Sequence, residues 1–329
     1  MYSLKPKPLL SGEIKESMIN EAMTDILSTL DPQHGGFGSA PKFPMSGALE
    51  LLINRYFFTR NESLGYAVKK TLESMAKGGF HDQIGGGFHR YSTDEEWIVP
   101  HFEKMADDNA LLLRNYIDAY FLFGDNYFKD VAEGIIHFIR NVLSDPEGGF
   151  HASQDADVTP EDEGGYFTWR DEDFRKVLNE EEYKVLSLHF LHERGSMQHD
   201  ESKKVLFVVR GAKEIADILK REMNSVQETI ISGKDKLLKE RNNRQTPFVD
   251  DTLYTSLNGM LITAYLKVYR VLKEGYLKDF SLKSLQKIMN SKLASRTALR
   301  LRGMLGSAVV ALNHHLGKGD AAPPFEPPV

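Results

Sequence analysis

Two glycines followed by an aromatic residue recur between amphipathic segments of this chain, and that recurrence constrains its fold more than any other feature. The stretches are GGFGSAPKFP at 35–44, GGFHDQIGGGFHRY at 78–91, GGFHASQDAD at 148–157 and GGYFTW at 164–169. A glycine just past a helix end enters the left-handed region at little cost, and the aromatic after it folds back onto the helix just left. Each copy therefore ends a helix and opens an ordered loop. Apolar residues at three- and four-residue spacing predict helices over 14–30, 45–58, 62–76, 103–123, 127–143, 213–223, 226–239, 252–272, 281–289 and 297–314, about ten in all. Helix pairs joined by long, aromatic, glycine-rich loops predict hairpins around a common axis, with the loops lining a mouth. A plain solenoid or bundle would need only short caps at those positions.

One segment breaks the pattern. From 148 to 210 the pieces EGGYFTWRDEDF and KKVLFVV read as short strands flanking two short helices, a small α+β insertion over the mouth. The charge-rich KDKLLKERNNR at 234–244 reads as the solvated face of a helix.

Composition removes several classes of function. With 41 Lys plus Arg against 47 Asp plus Glu, the formal charge of -6 lacks the basic excess of a phosphate-tracking nucleic-acid binder, so no nucleic-acid partner is expected. The chain has no cysteine, which excludes a disulfide framework, a thiolate metal site and a cysteine nucleophile, and suits a reducing compartment. No secretory leader and no long apolar run are evident, so the expectation is a cytoplasmic protein without a membrane partner. Walker, dinucleotide, nucleophile-elbow and zinc-protease motifs are all missing, and neither a cofactor nor a metal is expected.

The stretch at 78–113, GGFHDQIGGGFHRYSTDEEWIVPHFEKMADDNALLL, concentrates the polar chemistry. Pro100 suits the first position of a helix, which would put His101 in the first turn and His101, Lys104 and Asp108 on one face. Lys104 and Asp108 could equally form a simple i,i+4 pair. Glycoside cleavage needs an acid with a base or nucleophile, and sugar epimerisation needs a proton carrier, often histidine. The candidate catalytic residues are accordingly His101, Glu103, Asp108, Asp155 and Asp157. The candidate substrate-binding residues are His81, His89, Arg90, Tyr91, Trp97, Asp251 and Asn258, with Phe80, Phe88, Tyr91 and Trp97 as flat surfaces for sugar rings. Which carboxylates face one another stays open at this level.

GGFGSAPKFP, the 78–113 stretch, GGFHASQDAD with EGGYFTW, and DDTLYTSLNGMLI at 250–262 occur in an order that resembles the helical region of the thioredoxin-domain-containing, spermatogenesis-associated protein family over about 31–272. The resemblance implies an all-α fold, an (α/α)6 toroid of six-hairpin glycosidase type similar to N-acylglucosamine 2-epimerases. It also implies a thioredoxin-like domain ahead of the toroid, which would end where this chain begins. The chain departs from the family pattern at Gln154, where an acid is expected, at Ala106 and Asp107, and at Leu257. From Ser291 onward the pattern is lost, as in a truncated or frame-altered end. The expected organisation is a toroid over 1–317 and a Pro- and Ala-rich, disordered or extraneous tail at 318–329. An incomplete ring would expose apolar helix faces, hence an expected homodimer or covering partner. The functional expectation is a carbohydrate-active or carbohydrate-binding protein holding a small-molecule sugar, with a scaffold for a thioredoxin-like partner chain as the alternative.

Overall fold

The computed structural model describes residues 15–290, so the expected helix at 297–314 and the tail at 318–329 lie outside the described residues. The helices are α1 (Glu16–Ser28), α2 (Ser46–Thr59), α3 (Glu62–Lys77), α4 (Ala106–Phe123), α5 (Asn126–Phe138, continued by a wide turn to Leu143), α6 (Asp171–Val177), α7 (Glu180–Phe190), α8 (Ala212–Leu219), α9 (Met223–Arg241), α10 (Thr255–Leu272) and α11 (Gly275–Asn290). Between them lie short strands: β1 (Tyr91–Ser92), β2 (Pro100–His101), β3 (Lys104–Met105), β4 (Ser153–Gln154), β5 (Ser196–Met197), β6 (Asp200–Lys204) and β7 (Val249–Asp250). Local chemistry sets several helix ends. The Asn61 and Asp125 side chains accept the N–H groups of Ser63 and Tyr127 to start α3 and α5, and α4 stops at Gly124 in the left-handed region.

Helices α2/α3, α4/α5 and α10/α11 pack as hairpins, and α4 lies between α2 and α10. Their facing stripes build one core in which Leu52, Leu72, Leu113, Tyr116, Ile135, Leu261 and Tyr265 are fully or almost fully buried. Each such side chain contributes on the order of 1.5–3 kcal/mol by leaving water. The Tyr116 hydroxyl meets its polar requirement by donating to the Leu72 carbonyl at 2.8 Å. This is the all-α toroid architecture, and the described residues supply α1 and an arc of these hairpins.

The insertion is present, and its helical part runs further than the sequence pattern marks. Strands β4 and β7 pair antiparallel, Ser153 opposite Asp250 and Gln154 opposite Val249, so they form the neck of everything between. Helices α8 and α9 therefore belong to the insertion with α6 and α7. A second core of Trp169, Phe174, Val185, Leu186, Phe190, Ile215, Val226 and Leu237 holds these helices, and Ile84 joins it from the hairpin body.

The recurrent Gly-Gly-aromatic signature is a repeated device. In three turns an aspartate N–H donates to a glycine carbonyl: Asp31 to Gly36 at 2.9 Å, Asp82 to Gly87 at 3.0 Å and Asp145 to Gly149 at 3.0 Å. One carboxylate oxygen accepts the N–H groups that follow, from Gln33 and His34, from Ile84 and Gly85, and from Glu147. A lysine then sits on the other oxygen, Lys42 at 2.5 Å, Lys104 at 2.6 Å and Lys287 at 2.6 Å. Glycine is obligatory where the turn touches its neighbours. Gly36 has φ +81° and an added Cβ would lie 2.4 Å from the Trp97 ring, while Gly86 has φ +73° and a Cβ there would lie 2.1 Å from the Gly134 carbonyl oxygen.

Candidate functional site

The polar stretch before α4 is a strand and turn assembly, and α4 starts later than its periodicity indicates. The Asp94 carboxylate accepts the N–H groups of Glu96 at 2.8 Å, Ile98 at 3.0 Å and Val99 at 2.6 Å, which curls 94–99 into a tight turn. Pro100 and His101 then pair with Ser92 and Tyr91, and Lys104 pairs with Gln154. Pro100 thus opens a strand, and His101 lies in strand β2 with no helical turn around it. His101, Lys104 and Asp108 do not share a helix face, and Lys104 pairs with Asp82 in place of Asp108. Strands of two residues are too short to show a period of two, so the helical spacing dominated the pattern.

Two layers result. The outer layer lies at the start of α4. Glu103 bonds Arg90, Oε2 to Nη1 at 2.8 Å, and lies 3.6 Å from His101 Nε2. The rings of Phe43, Tyr91 and His101 stack in sequence with centroids 5.0 and 5.1 Å apart, and Phe43 is 47% exposed. Asp108 faces the same region. Burial, then the neighbouring Asp107 and Glu103, push its carboxyl up to about 7 against the opposing pull of Arg90. Burial and the charges of Glu103, Asp157 and Asp250 likewise raise the Asp155 carboxyl. Glu103 therefore acts electrostatically on both Asp108 and Asp155, which brings these residues of the expected set into one cluster. The Asp155 N–H is held by the Phe248 carbonyl at 2.8 Å, so the neck of the insertion positions it. Asp157 serves its own loop as well, accepting the Gly164 N–H at 3.0 Å. Asp251 is exposed beside β7.

The inner layer is a buried ionic floor. Asp82 Oδ2 accepts Lys104 Nζ at 2.6 Å and Oδ1 accepts Arg241 Nη1 at 2.8 Å. Burial alone would raise the Asp82 carboxyl, but Arg241 and Lys104 overcome it and hold it well below the usual range. His89 donates its Nδ1–H to the Phe102 carbonyl, 2.7 Å away, and His81 packs on Phe88 with centroids 4.8 Å apart. Burial brings both imidazoles down to about 3, aided by Lys104 at His89 and by Lys234 at His81, so both are neutral at ordinary pH.

Several expected contacts belong to the core. Trp97 is fully buried, its Nε1–H donating to the Gly35 carbonyl at 3.2 Å, and Phe80 and Phe88 are fully buried around it. None of these rings offers a free face to a sugar. Asn258 accepts the Phe150 N–H at 2.7 Å and donates to the Phe150 carbonyl at 2.9 Å. Asn109 treats Phe88 in the same way, at 2.8 and 2.9 Å. These two asparagines clamp successive Gly-Gly-Phe turns onto α10 and α4, which leaves Asn258 no group for a ligand. Two participants escaped the sequence reading. Phe43 follows its turn by a few residues and carries no pattern of its own. Arg241 lies on the segment read as a solvated face, yet it is buried because the insertion folds that face back over Asp82.

Antiparallel helix hairpins that carry polar and aromatic loops at their ends give the chain the fold of an (α/α) toroid of six-hairpin glycosidase type. Over 277 residues the chain is 33% identical to spermatogenesis-associated protein 20 of Homo sapiens, covering 76% of the chain and 35% of that protein. Over the same region it is 32% identical to spermatogenesis-associated protein 20 of Mus musculus, covering 71% of the chain and 33% of that protein. The chain spans about a third of the length of these curated relatives. It is also 25% identical over 204 residues to cellobiose 2-epimerase of Bacteroides fragilis, covering 60% of the chain and 46% of that enzyme. Among solved structures, a family 76 glycoside hydrolase from a bovine Bacteroides thetaiotaomicron strain overlaps with a TM-score of 0.41 at 10% identity, covering 74% of this chain and 34% of that one. No protein-family model matches the chain. Among the described residues no helix is long and apolar enough to cross a membrane.

Proposed function

We propose that the mouth above the start of α4 binds a carbohydrate, with the Phe43–Tyr91–His101 stack under a sugar ring and Asp108, Glu103 and Asp155 facing its hydroxyls. One observation carries this reading: a partly exposed aromatic stack ends at His101, 3.6 Å from Glu103, and Glu103 acts electrostatically on Asp108, a carboxyl brought to about 7 chiefly by burial. Such a group can give and take a proton at neutral pH, as hydrolysis of a glycosidic bond or epimerisation of a sugar requires. A relative named cellobiose 2-epimerase supports sugar as the ligand class. His101 and Arg90, through their contacts with Glu103, orient the carboxylate that shares the cluster. Asp157 shapes the loop that carries Asp155, and Asp251 lies at the outer edge. No cofactor enters this reading, and a cysteine-free chain suits the cytoplasm in which we place it.

A thermal-shift screen of the purified chain against mono- and oligosaccharides tests the reading. A sugar at 100 times its dissociation constant should stabilise the fold by about 2.7 kcal/mol. A flat response to every sugar removes the support for a carbohydrate site. A second reading, an interaction scaffold for a thioredoxin-like partner, is favoured by the chain's span of about a third of its relatives, in which the shared stretch stands beside further sequence. Comigration with a thioredoxin-like domain in gel filtration, with no response to sugars, is the outcome that reading expects.

A further inference from the structure

The sheet at the neck of the insertion sets the mouth residues in a row. Lys104 pairs with Gln154 and Gln154 with Val249, and the side chains of Lys104 and Gln154 are buried. One residue further along this register, Glu103 comes opposite Asp155 and Asp155 opposite Phe248, where the Asp155 N–H donates to the Phe248 carbonyl at 2.8 Å. Side chains alternate between the two faces of a strand, so Glu103, Asp155 and Phe248 share the face turned away from Lys104 and Gln154. On the other side of Glu103, His101 Nε2 lies 3.6 Å from the carboxylate, and its ring stacks on Tyr91, which stacks on Phe43. The order across the mouth is therefore aromatic stack, Glu103, Asp155, Phe248.

Phe248 is 66% exposed and belongs to none of the three apolar cores of the described residues. A single exposed ring is ordinary on a protein surface, and its place in the row is what distinguishes this one. Pro247 fixes φ just ahead of Phe248 and the sheet hydrogen bond holds Phe248 itself, so little backbone freedom is left to lose on binding. Two strand spacings set Phe248 about 10 Å from Glu103, so one sugar ring at the stack cannot also cover Phe248. Between the two aromatic surfaces stand the paired carboxylates. Residues opposed across an antiparallel pair have Cβ atoms about 5 Å apart, which lets Glu103 and Asp155 flank a glycosidic bond, as carboxyls about 5–10 Å apart do in glycoside hydrolases.

We propose that Phe248 is a second sugar platform and that the mouth takes an oligosaccharide, with one ring at the Phe43–Tyr91–His101 stack, a further ring on Phe248, and a linkage of the chain over Glu103 and Asp155. This rests on the sugar reading of the mouth and specifies it: the number of linked rings sets the affinity. The Asp155 carboxylate, which closes no ion pair and accepts no hydrogen bond among the described residues, is left free to accept from the hydroxyls beside that linkage.

Calorimetric titration of the full chain with gluco-, galacto- and manno-oligosaccharides of one to four units tests the proposal. For the sugar type that binds, affinity should rise tenfold or more between one unit and four. Phe248→Ala should remove that rise while changing monosaccharide affinity less than threefold, and Phe248→Tyr should keep it, since the platform supplies a flat ring. The Phe248 side chain lies outside the cores, so the melting temperature of Phe248→Ala should be that of the unaltered chain. Equal affinity for one and four units in the unaltered chain, a rise that survives Phe248→Ala, or a loss in that variant that is equal at every length overturns the second platform and leaves the monosaccharide site standing. No binding at any length overturns the sugar reading itself, and this inference with it.

Discussion

Arg241 of α9 places Nη1 2.8 Å from Asp82 Oδ1, tying the inserted helices to the turn beneath α4 across 159 residues of sequence. Lys104 reaches the other oxygen of the same carboxylate, so the segment leading into α4 and the inserted helix α9 share one anion.

Removing one partner of a fully buried pair leaves an uncompensated charge and costs about 3–5 kcal/mol. Arg241→Met should destabilise the chain on that scale in urea unfolding, because Asp82 keeps only Lys104. Asp82→Asn should be at least as costly, since it leaves two cations facing a neutral amide. A change below about 1 kcal/mol in either variant would show that the floor is not needed to hold the two parts together.

The asparagine clamps make a second prediction. Asn258→Ala strands a buried N–H and a buried carbonyl of Phe150, at about 1–3 kcal/mol each. Stability should fall while any sugar response stays as in the unaltered protein. A lost sugar response at unchanged stability would return Asn258 to the binding residues. Asn109→Ala should behave alike, and the two losses should add, since each clamp serves its own turn.

Asp108 gives stability a pH dependence of defined sign. Its folded-state value of about 7 lies above the ordinary 3.8, so the native state binds the proton more tightly than the unfolded chain. The stability this contributes is fully present below about pH 4 and is lost as pH rises through about 7. Asp108→Asn, which mimics the protonated group, should flatten the stability profile between those limits and stabilise the protein at pH 8. Unfolding curves from pH 4 to 8 check this, and an unchanged slope in the variant would place the Asp108 carboxyl in open solvent.

The glycine turns and the hairpins were legible because glycine conformation and the helical period are local properties, whereas which carboxylates lie near one another was not, because it depends on contacts between segments distant in sequence. The start of α4 was not, since the Asp94 carboxylate folds 94–99 and imposes a two-residue strand where periodicity extends the helix. Trp97 and Asn258 look like binding residues in sequence because aromatic and amide groups beside glycines serve ligands and turns equally well. Only the ring's contact with Gly36 and the clamp on Phe150 separate the two uses. Arg241 could not have been found, because burial of a charged helix face depends on a partner so distant in sequence.

The central claim is that the aromatic stack and the carboxyl cluster above α4 form one carbohydrate site. The most direct measurement is the saccharide thermal-shift screen run on the unaltered chain, Tyr91→Ala and Glu103→Gln. The account predicts a shift with one class of sugar that both substitutions abolish while the unliganded melting temperature moves little. A sugar response that survives both substitutions, or none with any sugar, would contradict it.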